Sequence, residues 1–441
     1  MPKVLLIQST QYGAKTGKPC KQKRVYLPGL AFPLLANYIP AGWDLEVNLE
    51  VVDDINFESD ADIVGIGAMG HAIFRAIDIA KEFRKRGKTV FMGGYMPSIV
   101  PWFIDAHCDG VIIGDAEISL SKLLRDFEST GKIERRYDNP LNDLSGIPVP
   151  RYELLPKSKT GFMLPVQAGR GCPHLCSYCS IACVYKGKYL ARPIEDVMRD
   201  VKRVKELGYR HFYLLDDNIV SNPKFLEHLC AQIKPLKMLW ASQCSMNLAR
   251  NERLLKVVAD SGCRILSLGI ESISQEGLNK LNKTWVITAE HEKLLAKISG
   301  AGIIPATEMI IGTDSDTPDS IRETFRFVMR TQIPIPKFYI LTPMPGSELY
   351  DQFRKDGRLL HEDYSRYTAT NCVFKPANMT PDELDHMFWW LYKQVYTLPN
   401  IVRRTLLNKH FFSNPVLYFY AFIVNLTYRK FIKNGDGPNI F

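Results

Sequence analysis

Residues 169–179 read GRGCPHLCSYC and place Cys172, Cys176 and Cys179 in a Cys-x3-Cys-x2-Cys array. The array follows FMLPVQAGR (162–170), an apolar run of strand length. Thiolates are soft ligands suited to iron–sulfur clusters. Three of them on one compact loop can hold three irons of a [4Fe–4S] cube. The fourth iron then lacks a protein ligand and can take substrate, unlike the four-ligand clusters of electron-transfer ferredoxins. The alternatives are chance clustering and a structural zinc site. Zinc motifs usually come as two Cys/His pairs. A fourth zinc ligand here would have to be His174 or Cys183, and Cys183 lies only four residues beyond Cys179.

The rest of the composition agrees with a reduced, folded chain. The start, MPKVLLIQS, has a short apolar run that suits a first strand better than a secretory signal. Ten cysteines without such a signal imply reduced thiols, and a cytoplasmic location is expected. Four of the ten fall within 172–183; Cys20, Cys108, Cys230, Cys244, Cys263 and Cys372 are scattered, most simply structural or incidental. Hydrophobic content of 46% and charged content of 23% fit a globular protein. The net charge of +9 is thinly spread over 441 residues. No tight Lys/Arg block with interleaved aromatics occurs, which argues against a dedicated nucleic-acid surface.

Outward from the cysteine loop, the chain alternates strands and helices on both sides. Upstream, KVLLIQS (3–9), NLEVVD (48–53), DIVGIGA (62–68), TVFMGG (89–94) and GVIIG (110–114) are candidate strands, with a helix over 72–87. This alternation predicts a doubly wound, Rossmann-like parallel sheet over 1–138. A Pro-containing stretch makes 139–160 a linker. Downstream, strands are expected at 162–170, 211–217, 238–244, 264–272, 304–312 and 337–343, with helices such as 193–208 and 252–262 between them. Six such units predict a partial (β/α)6 TIM-type barrel over 161–350, with functional groups at the carboxyl ends of its strands. Residues 351–441 form a helical C-terminal region. Within it PVLYFYAFIVNLTY (415–428) is strongly apolar, bracketed by Arg403–Arg404 and Arg429–Lys430. It is shorter than the roughly 20 residues that span a bilayer.

The cysteine loop, its place after a first barrel strand and the following KYLARPIEDVMRDV (188–201) resemble the radical S-adenosylmethionine superfamily. HFYLLDDN (211–218), SLGIES (267–272), EMIIGTDSDT (308–317) and LTPMPGSELY (341–350) are similar to the strand-end signatures of its branch with an amino-terminal cobalamin-binding domain. FRAIDIAKEFRKRGKTVFMGGYMPSIVP (74–101) and DGVIIGDAE (109–117) are similar to that domain. The resemblance implies S-adenosylmethionine held on the unique iron by its amino and carboxylate groups. Asp216 and Asp217 would accept from the amino group, and Glu271 from the ribose. The adenine would lie along Ile310–Gly312 and Tyr178. A solvated turn or helix cap is the plain alternative for the two aspartates, and a salt bridge for Glu271. Cobalamin would bind beyond the strand ends of the first domain, at the loops Gly67–His71, Gly93–Gly94–Tyr95 and Gly114–Glu117. Ordinary tight turns are the alternative there. The Asp-x-His-x-x-Gly loop whose histidine ligates cobalt in methionine synthase is absent, so His71 is not expected to ligate cobalt.

The resemblance implies methylation of an unactivated carbon: reductive cleavage of S-adenosylmethionine, hydrogen abstraction by a 5′-deoxyadenosyl radical, and methyl transfer from cobalamin. A non-methylating radical cyclase or ring-rearranging enzyme would carry the same motifs. A tRNA methylthiotransferase would need further cysteines in the first domain, where only Cys20 and Cys108 occur. The expected partners are an electron donor such as flavodoxin or ferredoxin and a small or hydrophobic substrate. The aromatic tail is either a core helix or a surface meeting a lipid, isoprenoid or tetrapyrrole near a membrane.

Overall fold

The structure is a computed structural model; it describes residues 1–13 and 16–437. By internal contacts the chain divides into two compact units. The first is Met1–Val166 with Lys202–Tyr209, and the second is Gln167–Val201 with Arg210 onward.

The first unit is built on a parallel sheet. Its strands are β1 (Lys3–Gln8), β2 (Asp44–Leu49), β3 (Ile63–Gly67), β4 (Thr89–Gly93), β5 (Gly110–Ile113) and β6 (Arg136–Asp138), in the order β2-β1-β3-β4-β5-β6. Central strands buried on both faces read as continuous apolar runs, as Val4–Ile7 and Ile63–Ile66 do. The helix Ala72–Lys85 buries Ile73, Ala76, Ile77, Ala80 and Phe83, an i, i+3, i+4, i+7 stripe, and ends before Gly87 at φ +74°. The strand expected at 48–53 lies instead at Asp44–Leu49, and the chain turns at 50–53. As an edge strand it needs no continuous apolar run, so the apolar pair Val51–Val52 misplaces it. The three-residue β6 was not anticipated.

The second sheet contains β7 (Met163–Gln167), β10 (His211–Leu215), β11 (Leu239–Cys244), β12 (Cys263–Glu271), β13 (Ile304–Ile311) and β14 (Ile335–Ile340). Between β7 and β10 the chain forms a two-stranded antiparallel ribbon, β8 (Gly169–Gly171) with β9 (Tyr189–Ala191). The six-stranded order is β14-β13-β12-β11-β10-β7, monotonic and unclosed, as a partial barrel requires.

An unclosed barrel leaves edges, and β14 is one of them. Side chains from the C-terminal helices occupy its hydrogen-bonding positions. The Tyr392 hydroxyl accepts from Phe338 N (2.8 Å) and donates to Phe338 O (2.9 Å), and Tyr396 donates to Pro336 O. The wholly buried Arg404 donates to Ile333 O (2.8 Å), Pro334 O (3.1 Å) and Asn425 Oδ1 (3.0 Å). These contacts stand where a seventh strand would pair. The tyrosines ride on the helix Pro381–Val395 and its C-cap, and that helix starts at a Thr380/Glu383 capping box with Pro381 in its first turn. Among the described residues no helix is long and apolar enough to cross a membrane.

Candidate active site

The ribbon β8–β9 ties together the two ends of the cysteine loop, with Gly171 opposite Tyr189. Gly171 has φ +81°, and a Cβ there would sit 2.2 Å from Lys188 O, so only glycine permits this crossing. Its amide donates to Asp217 Oδ2 at 2.6 Å, which fixes the backbone one residue before Cys172. Asp216 lies beneath the ribbon: Oδ2 accepts from the Tyr189 hydroxyl (2.8 Å) and Oδ1 from Asn218 N (2.9 Å). Burial raises both carboxyls, Asp216 to about 7 and Asp217 to about 6. The two aspartates are thus buried anchors of the loop, unlike solvated turn residues.

Cys172, Cys176 and Cys179 are free thiols. Burial pushes all three above the usual thiol range, Cys176 to about 12. The positive charge of bound iron is what would convert such thiols to thiolates. Among the described residues no three His, Cys, Asp or Glu side chains are arranged around a single metal ion. A four-iron cluster asks for a wider arrangement, one thiolate per iron. Cys183 points its thiol at Cys179 O (3.5 Å) within the short helix Ser180–Tyr185.

Sequence reasoning missed the segment that grips this loop from outside. Asn282 Nδ2 donates to Leu175 O (2.7 Å), Ser177 N donates to Leu281 O (3.1 Å), and the His174 ring stacks on Trp285 at 3.8 Å and 15°. Lys283 is buried between the loop and β12. Its ammonium donates to Glu271 Oε1 (2.6 Å) and Gly269 O (3.0 Å) and lies 5.2 Å from the Trp285 ring centre. Glu271 ends β12 in the left-handed region, φ +61°, an uncommon conformation for a carboxylate side chain. The Tyr178 phenol is raised by burial and by this carboxylate beside it. Glu271 therefore makes the salt bridge considered from the sequence, and it does so next to the cysteine loop. Asn218, also missed, donates weakly to Cys172 Sγ (4.0 Å) and accepts from Ser245 N (2.9 Å). No periodicity marks these residues; they are single polar positions in loops.

Gly312, at the end of β13, has φ +92° and donates to Asp316 Oδ2 (2.9 Å), as does Thr313 N (2.8 Å). Asp316 thus organises the GTDSDT turn. The Ser177 and Ser245 hydroxyls are buried without a protein hydrogen-bond partner. Such groups are satisfied when a polar ligand occupies the site. Three thiols on one loop, two orphaned hydroxyls and three buried carboxylates fit a cluster with a polar ligand beside it.

In the first unit, the loops after β3, β4 and β5 share one edge of the parallel sheet, so Gly67–His71, Gly93–Tyr95 and Gly114–Glu117 lie side by side. Gly94 has φ +103°, and a Cβ there would meet Ala68 O at 2.8 Å. Ser98 links two of the loops, donating to Gly94 O (2.7 Å) and accepting from Gly114 N (2.9 Å). Met69 is 71% exposed on this edge. Burial lowers His71 to about 4 and keeps it neutral at the start of the helix Ala72–Lys85. Glu117 is buried in the first turn of the helix Glu117–Thr130. The order β2-β1-β3 reverses direction at β1, the topological switch where open α/β sheets bind ligands.

The second unit is a partial barrel whose first strand leads into the three-cysteine loop. The chain matches the model of the Radical SAM superfamily over residues 166–328. It is 29% identical over 404 residues to a bacteriochlorophyllide d C-8(2)-methyltransferase of Chlorobaculum tepidum, covering 88% of this chain and 89% of the relative. It is 26% identical over 356 residues to a hopanoid C-2 methylase of Rhodopseudomonas palustris, covering 77% and 66%. The fold matches that of TsrM, a radical S-adenosylmethionine methyltransferase of Kitasatospora setae solved with cobalamin and a [4Fe–4S] cluster bound. That match has TM-score 0.69 and 16% identity, and it covers 89% of each chain.

Proposed function

We propose that this chain is a cobalamin-dependent radical S-adenosylmethionine methyltransferase acting on an unactivated carbon of a large, mainly apolar ring compound. The observation that carries this reading is the loop of Cys172, Cys176 and Cys179, clamped by Asp217 on one side and Asn282–Trp285 on the other. The methyltransferase relatives add support, as does the glycine-lined edge of the first unit. When bound, the cluster supplies the electron that cleaves S-adenosylmethionine and the corrinoid supplies the methyl group.

The chain's own residues bind and orient. The three cysteines would hold the cluster through one thiolate each. Asp216 and Asp217 present carboxylate oxygens toward the amino group of S-adenosylmethionine, Glu271 accepts from its ribose, and Tyr178 with Ile310–Gly312 flanks the adenine. Lys283 holds Glu271 in place through their ion pair. Gly67, Gly93, Gly94 and Gly114 would let backbone approach the corrinoid, with His71, Tyr95 and Glu117 at its margin. A small electron-transfer protein of the flavodoxin or ferredoxin kind supplies the reducing equivalent. The substrate class follows from the relatives, which act on a tetrapyrrole and a hopanoid.

The test is anaerobic reconstitution of the full chain with iron, sulfide and hydroxocobalamin, followed by reduction in the presence of S-adenosylmethionine. The expected result is a corrinoid spectrum, 5′-deoxyadenosine formation, and a product from tetrapyrrole or hopanoid extracts heavier by one methyl group. A product of unchanged carbon count would favour the cyclase or rearrangement alternative.

A further inference from the structure

The helix Pro415–Lys433 has two unlike faces. Its buried face is Tyr418, Ala421, Asn425, Tyr428 and Ile432, at helical spacing. The opposite face carries Val416 (80% exposed), Phe419 (54%) and Ile423 (45%), and Phe412 (92%) extends the stripe by one turn. Large apolar side chains this exposed and contiguous mark a contact surface. The charged side chains of this stretch are basic up to Asp436, which follows the helix. From His386 to Gly435 the chain contains no Asp or Glu. In the same stretch Lys393, Arg403, Lys409, Lys430 and Lys433 are exposed.

We propose that this face is a peripheral membrane-docking surface that seats on anionic lipid. Phe412, Val416, Phe419 and Ile423 enter the headgroup–acyl boundary, and Lys409, Lys430 and Lys433 meet lipid phosphates. An apolar stripe with flanking cations in excess of carboxylates is the pattern of an in-plane interfacial helix. It favours an acidic surface over a second copy of the chain, because pairing two such faces would bring together more cations than Asp436 could offset. The inference does not depend on the radical chemistry.

The experiment is co-sedimentation of the anaerobically purified full chain with vesicles of phosphatidylglycerol and phosphatidylcholine in varied ratio. Binding is expected to rise with phosphatidylglycerol and to fall with added salt. The triple variant Lys409→Gln, Lys430→Gln, Lys433→Gln should lose partitioning on the order of a hundredfold, at about fivefold per charge. Phe419→Ser with Val416→Ser should also release the protein while its circular dichroism and melting temperature stay unchanged, since neither side chain is in the core. Equal binding to pure phosphatidylcholine would overturn the proposal, as would no binding to either vesicle. Concentration-dependent self-association abolished by Phe419→Ser, without vesicle binding, would assign the face to a second copy and also overturn it.

Discussion

The two six-stranded parallel sheets of this chain differ in strand order, and the difference decides how each makes a site. The first sheet reverses at β1, so its ligand edge is a crevice lined by adjacent loop backbones. Glycine dominates there, and the chemistry of the side chains matters little. The second sheet runs monotonically and stays open, and its strand ends carry acidic side chains: buried Asp216 and half-buried Asp217 after β10, and buried Glu271 at the end of β12. Its ionisable groups are desolvated and paired. Removing a side chain should therefore be costly in the second unit, and adding one should be costly in the first.

The largest expected effect tests the first half of that statement. Lys283→Met takes away the ion-pair partner of Glu271 in a buried setting, and breaking such a pair costs about 3–5 kcal/mol. Urea denaturation should show the midpoint falling with an unchanged slope. A midpoint equal to that of the unaltered chain would mean that the pair is solvated.

Next is Glu271→Gln, which keeps the shape and loses the charge. If Glu271 holds the ribose, S-adenosylmethionine binding should weaken about ten- to a hundredfold, on the order of 1.5–3 kcal/mol, while iron content is unchanged. Unaltered binding by anaerobic titration would leave the residue a structural ion-pair partner only.

The first sheet is probed by Gly94→Ala. A Cβ at φ +103° meets Ala68 O, and the backbone strain is of order 1–3 kcal/mol. Corrinoid retention, read by the visible spectrum, should fall with the iron–sulfur absorbance intact. Loss of both together would break the comparison between the two sheets.

The smallest effect is a pH dependence. Folding raises the Asp216 carboxyl to about 7, far above the ordinary carboxylate value, so the folded state binds the proton more tightly than the unfolded one. Stability of the cluster-free chain should decline as pH rises from about 4 to about 7 and level off above. Asp216→Asn should flatten part of that decline. An identical slope in the variant would show that the carboxyl is solvated.

The central strands of the first sheet were legible because two-sided burial writes a continuous apolar run, and those of the second because apolar strand-length runs alternate with helices. The edge strand β2 was displaced because an edge does not. The cysteine loop was legible because soft ligands at fixed spacing have few other uses. Lys283, Asn218, Asn282 and Trp285 were not, since each acts through a contact made only by folding. Tyr392 and Tyr396 lay in the helical C-terminal region without assigned partners; the open edge of β14 gives them their role.

The central claim is that three cysteines, and not Cys183, hold the cluster. Iron content and Mössbauer spectra of the anaerobically reconstituted full chain test it directly, comparing Cys172→Ala, Cys176→Ala, Cys179→Ala and Cys183→Ala. The account predicts that each of the first three fails to assemble a [4Fe–4S] cluster and that Cys183→Ala carries the full complement. Loss of the cluster in Cys183→Ala, or its retention in Cys176→Ala, would contradict it.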